Sequence, residues 1–403
     1  MSCKSMHDEK ITLDEIESAL YGGEFCFHYQ PKISFQTGLI TGGEALLRWT
    51  KSNGDLIPPG DFLPLAEETG FITDITAVML TELVQDIAKI RECKPDIQIA
   101  FNVSAKDLHS PYLVKMLRSF IGNQLINSGN IQIEITETAI LDRNERIRKT
   151  LLDLVELGVE IVMDDFGTGY SSLDVLSQLP FSALKIDQGV VGRMEKDAKS
   201  THIVRSSLQM ARALSIKTIA EGIENEGTYS FLLASGCSEG QGFWMARPMP
   251  LPDFINLLEE SPACPSSEIG FFYIAWMNHL TYRGKVLDTV YTLTMSPPDD
   301  WKHLPKLDLR HSPAHCRLGQ WNPNMGKAGV TKDDYSRLET VHREMHAVGD
   351  ALIQTVQAQN GTESIIEVTE KFFRLSEQVD QEVSRIMSQS FAQNLRNRNT
   401  DKT

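Results

Sequence analysis

Residues 12–258 alternate short apolar runs rich in β-branched residues with stretches of helical periodicity. The runs predict strands at Phe25–Ser34, Leu39–Trp49, Ile97–Ala105, Ile131–Thr138, Val159–Phe166, Ala183–Asp187, Lys217–Gly222 and Gly242–Pro248. Several carry apolar residues on both faces (Ile131, Ile133, Ile135; Ile161, Val162, Met163), the pattern of strands covered on two sides. Helices are expected between most of them, at Pro64–Glu68, Ile75–Glu92, Pro111–Ile121, Ile147–Leu157, Ile203–Leu214 and Thr228–Ala234. This alternation predicts a closed (β/α)8-type barrel of the α/β class, with an open doubly wound sheet as the alternative. The first two strands meet through Gln36-Thr37-Gly38, a hairpin connection, so one strand should run antiparallel.

The pattern changes after residue 260. Residues 261–270 are rich in Pro and Ser and read as a linker. Beyond it, three helical stripes dominate: Phe272, Ala275, His279, Val286, Val290 and Leu293; Leu338, His342, Met345, His346, Leu352 and Val356; Val368, Phe372, Leu375, Val379, Val383 and Ile386. The third has near-heptad spacing, suited to a second helix or a second subunit. With a shorter helix at Cys316–Trp321, residues 271–392 predict an all-α four-helix bundle, and 393–403 a polar, frayed tail.

The chain has 403 residues, enough for two or three domains. Its formal net charge of −15 argues against nucleic-acid binding and against docking on an anionic membrane. The longest uncharged stretch found, Ser119–Ile133, is too short and too polar to span a bilayer. Six cysteines are too few for a disulfide scaffold, and the N-terminal residues lack an apolar signal region, so a cytoplasmic location is expected.

Chemistry in such a barrel sits at the C-terminal ends of its strands. The polar residues there are Glu44, Asn102, Glu134, Asp164, Asp165, Lys185, Glu221 and Gln241. Five converging carboxylates repel one another, and one or two Mg²⁺ or Mn²⁺ ions with oxygen ligands would offset that cost. Two such ions can activate water against a phosphodiester.

These residues resemble those of the EAL domain, the family of cyclic-di-GMP phosphodiesterases. The resemblance covers roughly Thr12–Glu260. It rests on Tyr29-Gln30-Pro31, Glu44-Ala45-Leu46-Leu47-Arg48, Pro64-Leu65-Ala66-Glu67-Glu68, Asn102-Val103-Ser104, Glu134-Ile135-Thr136-Glu137, Asp164-Asp165-Phe166-Gly167-Thr168-Gly169, Lys185-Ile186-Asp187, Ala220-Glu221-Gly222-Ile223-Glu224 and Gln241-Gly242-Phe243. It implies that Glu44, Asn102, Glu134 and Asp164 bind one metal, and that Asp164 and Asp165 share a second whose water shell Gln241 supports. It further implies that Lys185 and Glu221 orient and deprotonate the attacking water, with Glu221 the base. Arg48 would hold a substrate phosphate, while Gln30, Asp187 and Glu224 would line the substrate cleft. Glu137 would anchor the loop Phe166–Ser172, which in the family leads from the second metal to a homodimer interface. The rival within the fold is an inactive cyclic-di-GMP receptor, a class that usually loses Glu44, Asp165 or Lys185; this chain keeps all three.

In the bundle, His342 and His346 stand four residues apart on one helix face, where both rings can reach one ion. With His279 and with Cys316 of Cys316-Arg317-Leu318-Gly319-Gln320-Trp321, they are similar to the zinc ligands of the CZB family, the chemoreceptor zinc-binding domain. That resemblance spans about Phe271–Ile386 and implies one tetrahedral Zn²⁺, regulatory or structural, with zinc or an oxidant as the signal. Two departures stand out: a longer connection between His279 and Cys316, and Tyr282 where the family often has Trp.

Overall fold

The computed structural model describes residues 11–400 except 141–143, 168–175, 177, 265–267, 304–331 and 360. The chain divides into two compact units, Met1–Ser266 and Ser267–Thr403.

The first unit holds ten strands: β1 (Phe25–Ser34), β2 (Ile40–Thr50), β3 (Leu56–Ile57), β4 (Gln98–Asn102), β5 (Ile131–Thr136), β6 (Glu160–Phe166), β7 (Ala183–Ile186), β8 (Lys217–Ala220), β9 (Glu239–Gly240) and β10 (Met249–Pro250). Their order is β1-β9-β8-β7-β6-β5-β4-β2, and the β1–β2 pairing closes the ring; β3 and β10 pair only at its margins. All pairings between β2 and β9 around the ring are parallel, whereas β1 is antiparallel to both its neighbours. The antiparallel stave is therefore the one that the short hairpin predicts. Gly38, with φ +72°, supplies the left-handed residue of that turn, and its N–H donates to Ser34 O.

Both faces of β5 are buried, but differently. Ile131, Ile133 and Ile135 join the apolar layer shared with the surrounding helices, while Gln132 and Glu134 are buried on the other face, inside the barrel. The helix Ala105–His109 starts directly after β4, where Ser104 and Asp107 form a reciprocal capping box that satisfies its free N–H groups.

One expected strand is misplaced. Residues 242–248 turn rather than extend, with Met245 and Ala246 N–H donating to Gly242 O. A Cβ on Gly242 would lie 2.2 Å from Ile223 O, so close approach of two backbones, not strand pairing, fixes this glycine. The eighth stave is instead the two-residue β9 just before it.

The second unit contains three long described helices, Glu268–Met295, Lys332–Gln357 and Thr362–Thr400. Their core includes Tyr282, Val286, Leu338, Leu352, Phe372, Val379 and Val383. Within the unit, Phe372, Leu375, Val379, Val383 and Ile386 of the third apolar stripe are buried against the other helices. The first helix begins within the expected linker. The last continues through most of 393–403, a stretch with neither Gly nor Pro to stop it. The expected helix at Cys316–Trp321 lies outside the described residues. Trp276 Nε1 and Arg283 both donate to Asp380, tying the first helix to the third. No helix among the described residues is long and apolar enough to cross a membrane.

Candidate active site

Strand register assembles the acidic residues. Gln30 of β1 pairs with Glu44 of β2, and Asn102 of β4 pairs with Glu134 of β5. Gln241 follows β9 and donates through Nε2 to Gln30 Oε1 at 2.9 Å and to Glu44 Oε2 at 2.8 Å. Asn102 Nδ2 donates to the other Glu44 oxygen at 2.8 Å. Lys185, from β7, is 1 % exposed and occupies the centre. Its Nζ lies 2.5 Å from Glu134 Oε2, 2.7 Å from Glu221 Oε1 and 3.3 Å from both Glu44 Oε2 and Asp164 Oδ2.

A cleft of about 310 Å³ opens over this cluster. Its walls include Gln30, Glu44, Arg48, Asn102, Asp164, Lys185, Glu221, Glu224 and Gln241, with Gln188 and Phe243 added by the structure. Glu134 is fully buried beneath it. Asp187 does not line the cleft; its Oδ1 accepts from Gly189 and Val190 N–H, capping the helix Gln188–Gly192. Asp165 faces a neighbouring cavity of about 560 Å³ that shares Asp164, Asn102 and Arg48 with the cleft. A register break in β6 after Met163, with Asp165 at φ +57°, frees consecutive aspartates from the strict alternation of a strand. Glu137 is buried at the start of the helix Glu137–Ile140, and neither carboxylate oxygen has a hydrogen-bond partner among the described residues. Most of the loop it is expected to anchor lies outside them.

The electrostatics follow from burial. Burial pushes Glu221 up to about 8; Lys185 opposes this, and Asp164 and Glu44 reinforce it. Burial and Glu44 also raise Glu134, and burial and Asp164 raise Asp165. Glu44 goes the other way, to about 2: burial works against ionisation, but Lys185, Lys32 and the hydrogen bonds from Gln241 and Asn102 outweigh it. Lys185 rises well above the usual lysine range despite burial, held there by Glu134, Glu221, Glu44 and Asp164. A hard oxygen donor set with excess negative charge fits divalent cations. Gln241 Oε1, buried with no hydrogen-bond partner among the described residues, fits a metal-bound water as its missing donor.

Sequence reasoning missed Lys32. This buried lysine donates to Glu134 Oε1 at 2.6 Å. Its signal was available: it stands two residues from Gln30 on one strand, so both point into the barrel.

In the second unit, His279, His342 and His346 are all buried, with potential ligand atoms within 4.8 Å of one another. His342 and His346 bring their Nε2 atoms to 3.1 Å. His279 Nδ1 is buried without a hydrogen-bond partner among the described residues. Two imidazole nitrogens aimed at each other and a third left unsatisfied suit a shared Zn²⁺. Tyr282 stacks on His346 with ring centroids 4.0 Å apart. Cys316 lies outside the described residues.

The EAL domain model matches residues 13–248, and the chain belongs to the EAL-domain family. Among its relatives, the cyclic di-GMP phosphodiesterase PdeR of Escherichia coli is 35 % identical over 247 residues, 61 % of this chain and 37 % of that protein. The cyclic di-GMP phosphodiesterase RocR of Pseudomonas aeruginosa is 31 % identical over 248 residues, 62 % of this chain and 63 % of that protein. A solved structure described as PaMucR phosphodiesterase in complex with c-di-GMP is 37 % identical, with a TM-score of 0.58, covering 60 % of this chain and 98 % of that one.

Proposed function

We propose that the chain hydrolyses cyclic-di-GMP to linear pGpG. The observation that carries this reading is the convergence of Glu44, Glu134, Asp164 and Glu221 on Lys185 at the base of one cleft. The names of the EAL relatives above support it. Glu44, Asn102, Glu134, Asp164 and Asp165 would hold two Mg²⁺ or Mn²⁺ ions, with Gln241 supporting their water. When bound, such ions polarise a phosphoryl oxygen and lower the pKa of a water. Glu221 takes the proton of the attacking water, and Lys185, 2.7 Å from it, orients that carboxylate. Arg48, in the cleft wall, presents a guanidinium to a substrate phosphate. Gln30 and Glu224 offer polar contacts to the bases.

The second unit is read as a CZB-like module in which His279, His342, His346 and Cys316 hold one Zn²⁺, whose occupancy tunes hydrolysis. A homodimer is part of the same reading, on the resemblance of the barrel. The test is turnover of cyclic-di-GMP by the purified chain with Mg²⁺ or Mn²⁺. Glu44→Ala should abolish it, and Ca²⁺, larger and taking more ligands, should inhibit. Substrate binding without turnover in the wild-type chain would make it a receptor. Equal turnover with and without bound zinc would make the histidine site structural.

A further inference from the structure

The antiparallel stave β1 carries a second buried ammonium that the chemistry above does not use. Lys32 is 2 % exposed. Its Nζ donates to Glu134 Oε1 at 2.6 Å and to Gln132 Oε1 at 3.0 Å. Gln132 Nε2 in turn donates to Gln98 Oε1 at 3.1 Å and Glu160 Oε2 at 3.2 Å, so the group is fixed from below. Gly42 is the cross-strand partner of Lys32, and a Cβ on it would lie 2.4 Å from Gln98 O, so the backbones of β2 and β4 approach closely beside the lysine.

Filling the barrel does not require a lysine. Across the interior, Val162, Ala183 and Ile219 form an apolar cluster. An aliphatic residue at position 32 would avoid the cost of burying an ammonium. The one carboxylate that Lys32 contacts is Glu134, which is fully buried and has its two oxygens divided between two lysines. Oε1 is held by Lys32, whereas Oε2 faces Lys185 and, through it, Glu44 and Asp164.

We infer that Lys32 is a positioning residue that sets the metal specificity of the site, by retaining Oε1 so that Glu134 offers a cation only Oε2. The inference rests on the reading of Glu134 as a metal ligand. A carboxylate restricted to one oxygen suits a small octahedral cation such as Mg²⁺ or Mn²⁺. Ca²⁺ takes six to eight oxygens and readily accepts both oxygens of a carboxylate. Without Lys32, Glu134 can turn both oxygens to the ion, which favours Ca²⁺ and loosens the geometry Mg²⁺ needs.

The test is calorimetric titration of the full chain with Mg²⁺ and with Ca²⁺, in wild type, Lys32→Met and Lys32→Gln. The ratio of Ca²⁺ to Mg²⁺ affinity should rise about tenfold or more in both variants, the usual scale for losing an outer-shell partner. In turnover assays, half-inhibition by Ca²⁺ should move to lower concentration while KM for cyclic-di-GMP stays put. An unchanged affinity ratio in either folded variant overturns the inference. Failure of both variants to fold also overturns it, since Lys32 would then be a structural residue. Glu134→Gln separates the two readings. If it keeps wild-type metal affinity, Glu134 is no ligand and the underlying assignment fails. If it loses metal while the Lys32 variants keep the wild-type ratio, only the role of Lys32 falls.

Discussion

Lys185 Nζ lies 2.7 Å from Glu221 Oε1, yet Glu221 is pushed up to about 8, because burial and two further carboxylates outweigh the one cation beside it. Glu221 and Lys185 are therefore an electrostatic unit. Neither can be altered without retuning the other.

The expected consequence is a pH profile that Lys185 controls. Glu221 works as a base only when ionised, so kcat/KM should climb with pH through neutrality and level off above the apparent pKa of Glu221. Bound divalent cations add positive charge and should bring that pKa below 8. Lys185 lowers Glu221, so Lys185→Met should move the rising limb to higher pH as well as slowing turnover. Glu221→Gln should remove the limb and cost about 10²-fold or more in kcat, the usual scale for losing a general base, with KM retained. The check is rate against pH at saturating Mg²⁺ for the three proteins.

Asp165 separates backbone from chemistry. Its φ of +57° is a left-handed conformation that a Cβ disfavours by about 1 kcal/mol or somewhat more. Asp165→Gly should be more thermostable than Asp165→Ala, since glycine enters that region freely. Both should be inactive if the carboxylate serves the metal site. Melting curves beside turnover assays check the pair; a glycine variant that melts below the alanine variant would remove the strain argument.

The histidine cluster predicts acid sensitivity of the metal-free second unit. Burial, then His346, lowers His342 to about 3; burial, then His342, lowers His279 well below the usual imidazole range. In the unfolded chain both titrate near the ordinary histidine value of about 6.5. Between the two values the unfolded state binds more protons, so stability should fall as pH drops below about 6.5 and keep falling toward 3. Hydrogen exchange of the helix Lys332–Gln357 at pH 7.5 and pH 5, corrected for intrinsic rates, measures this. Zn²⁺, which also needs neutral imidazoles, should oppose the loss.

Much of the barrel was legible because its staves are apolar on the face toward the helices. Ile131, Ile133 and Ile135 mark β5 whatever lies opposite them. The interior residues were legible through type: a carboxylate inside an apolar strand is costly enough to demand an explanation, so Glu134 and Asp164 stood out. Lys32 did not, because a lysine in a strand usually lies at an edge with its head in water, and only closure of the barrel brings Glu134, on a strand that does not pair with β1, next to it. The stave β9 was hidden by length, since two residues carry no periodicity, while Gly242–Pro248 looked like a strand through composition alone. Asp187 was placed correctly in sequence, but whether a carboxylate lines a cleft or caps the next helix is decided by backbone N–H groups that the sequence does not display.

Gly349 offers a test of how tightly the histidine site is held. It lies within the helix Lys332–Gln357, where alanine would ordinarily be better than glycine by about 1 kcal/mol. A Cβ there, however, would come within 2.8 Å of Tyr282 Oη and 3.0 Å of Phe372 Cε2. Both rings are buried, Tyr282 at 2 % exposure and Phe372 at 0 %, so neither can swing into solvent. Overpacking of this kind costs about 1–3 kcal/mol, which offsets or exceeds the gain in helix propensity. Gly349→Ala should therefore fail to stabilise the unit and should lower its melting temperature. Tyr282 also stacks on His346, so displacing its ring should weaken Zn²⁺ binding. Tyr282→Phe removes the hydroxyl that makes the closer contact. Combined with Gly349→Ala, it should recover part of the stability and part of the zinc affinity, leaving only the Phe372 contact strained. Thermal melts and zinc competition titrations on the two single variants and the double variant close the cycle. Strictly additive effects on zinc affinity would mean that the Tyr282 ring does not transmit the strain from Gly349 to His346.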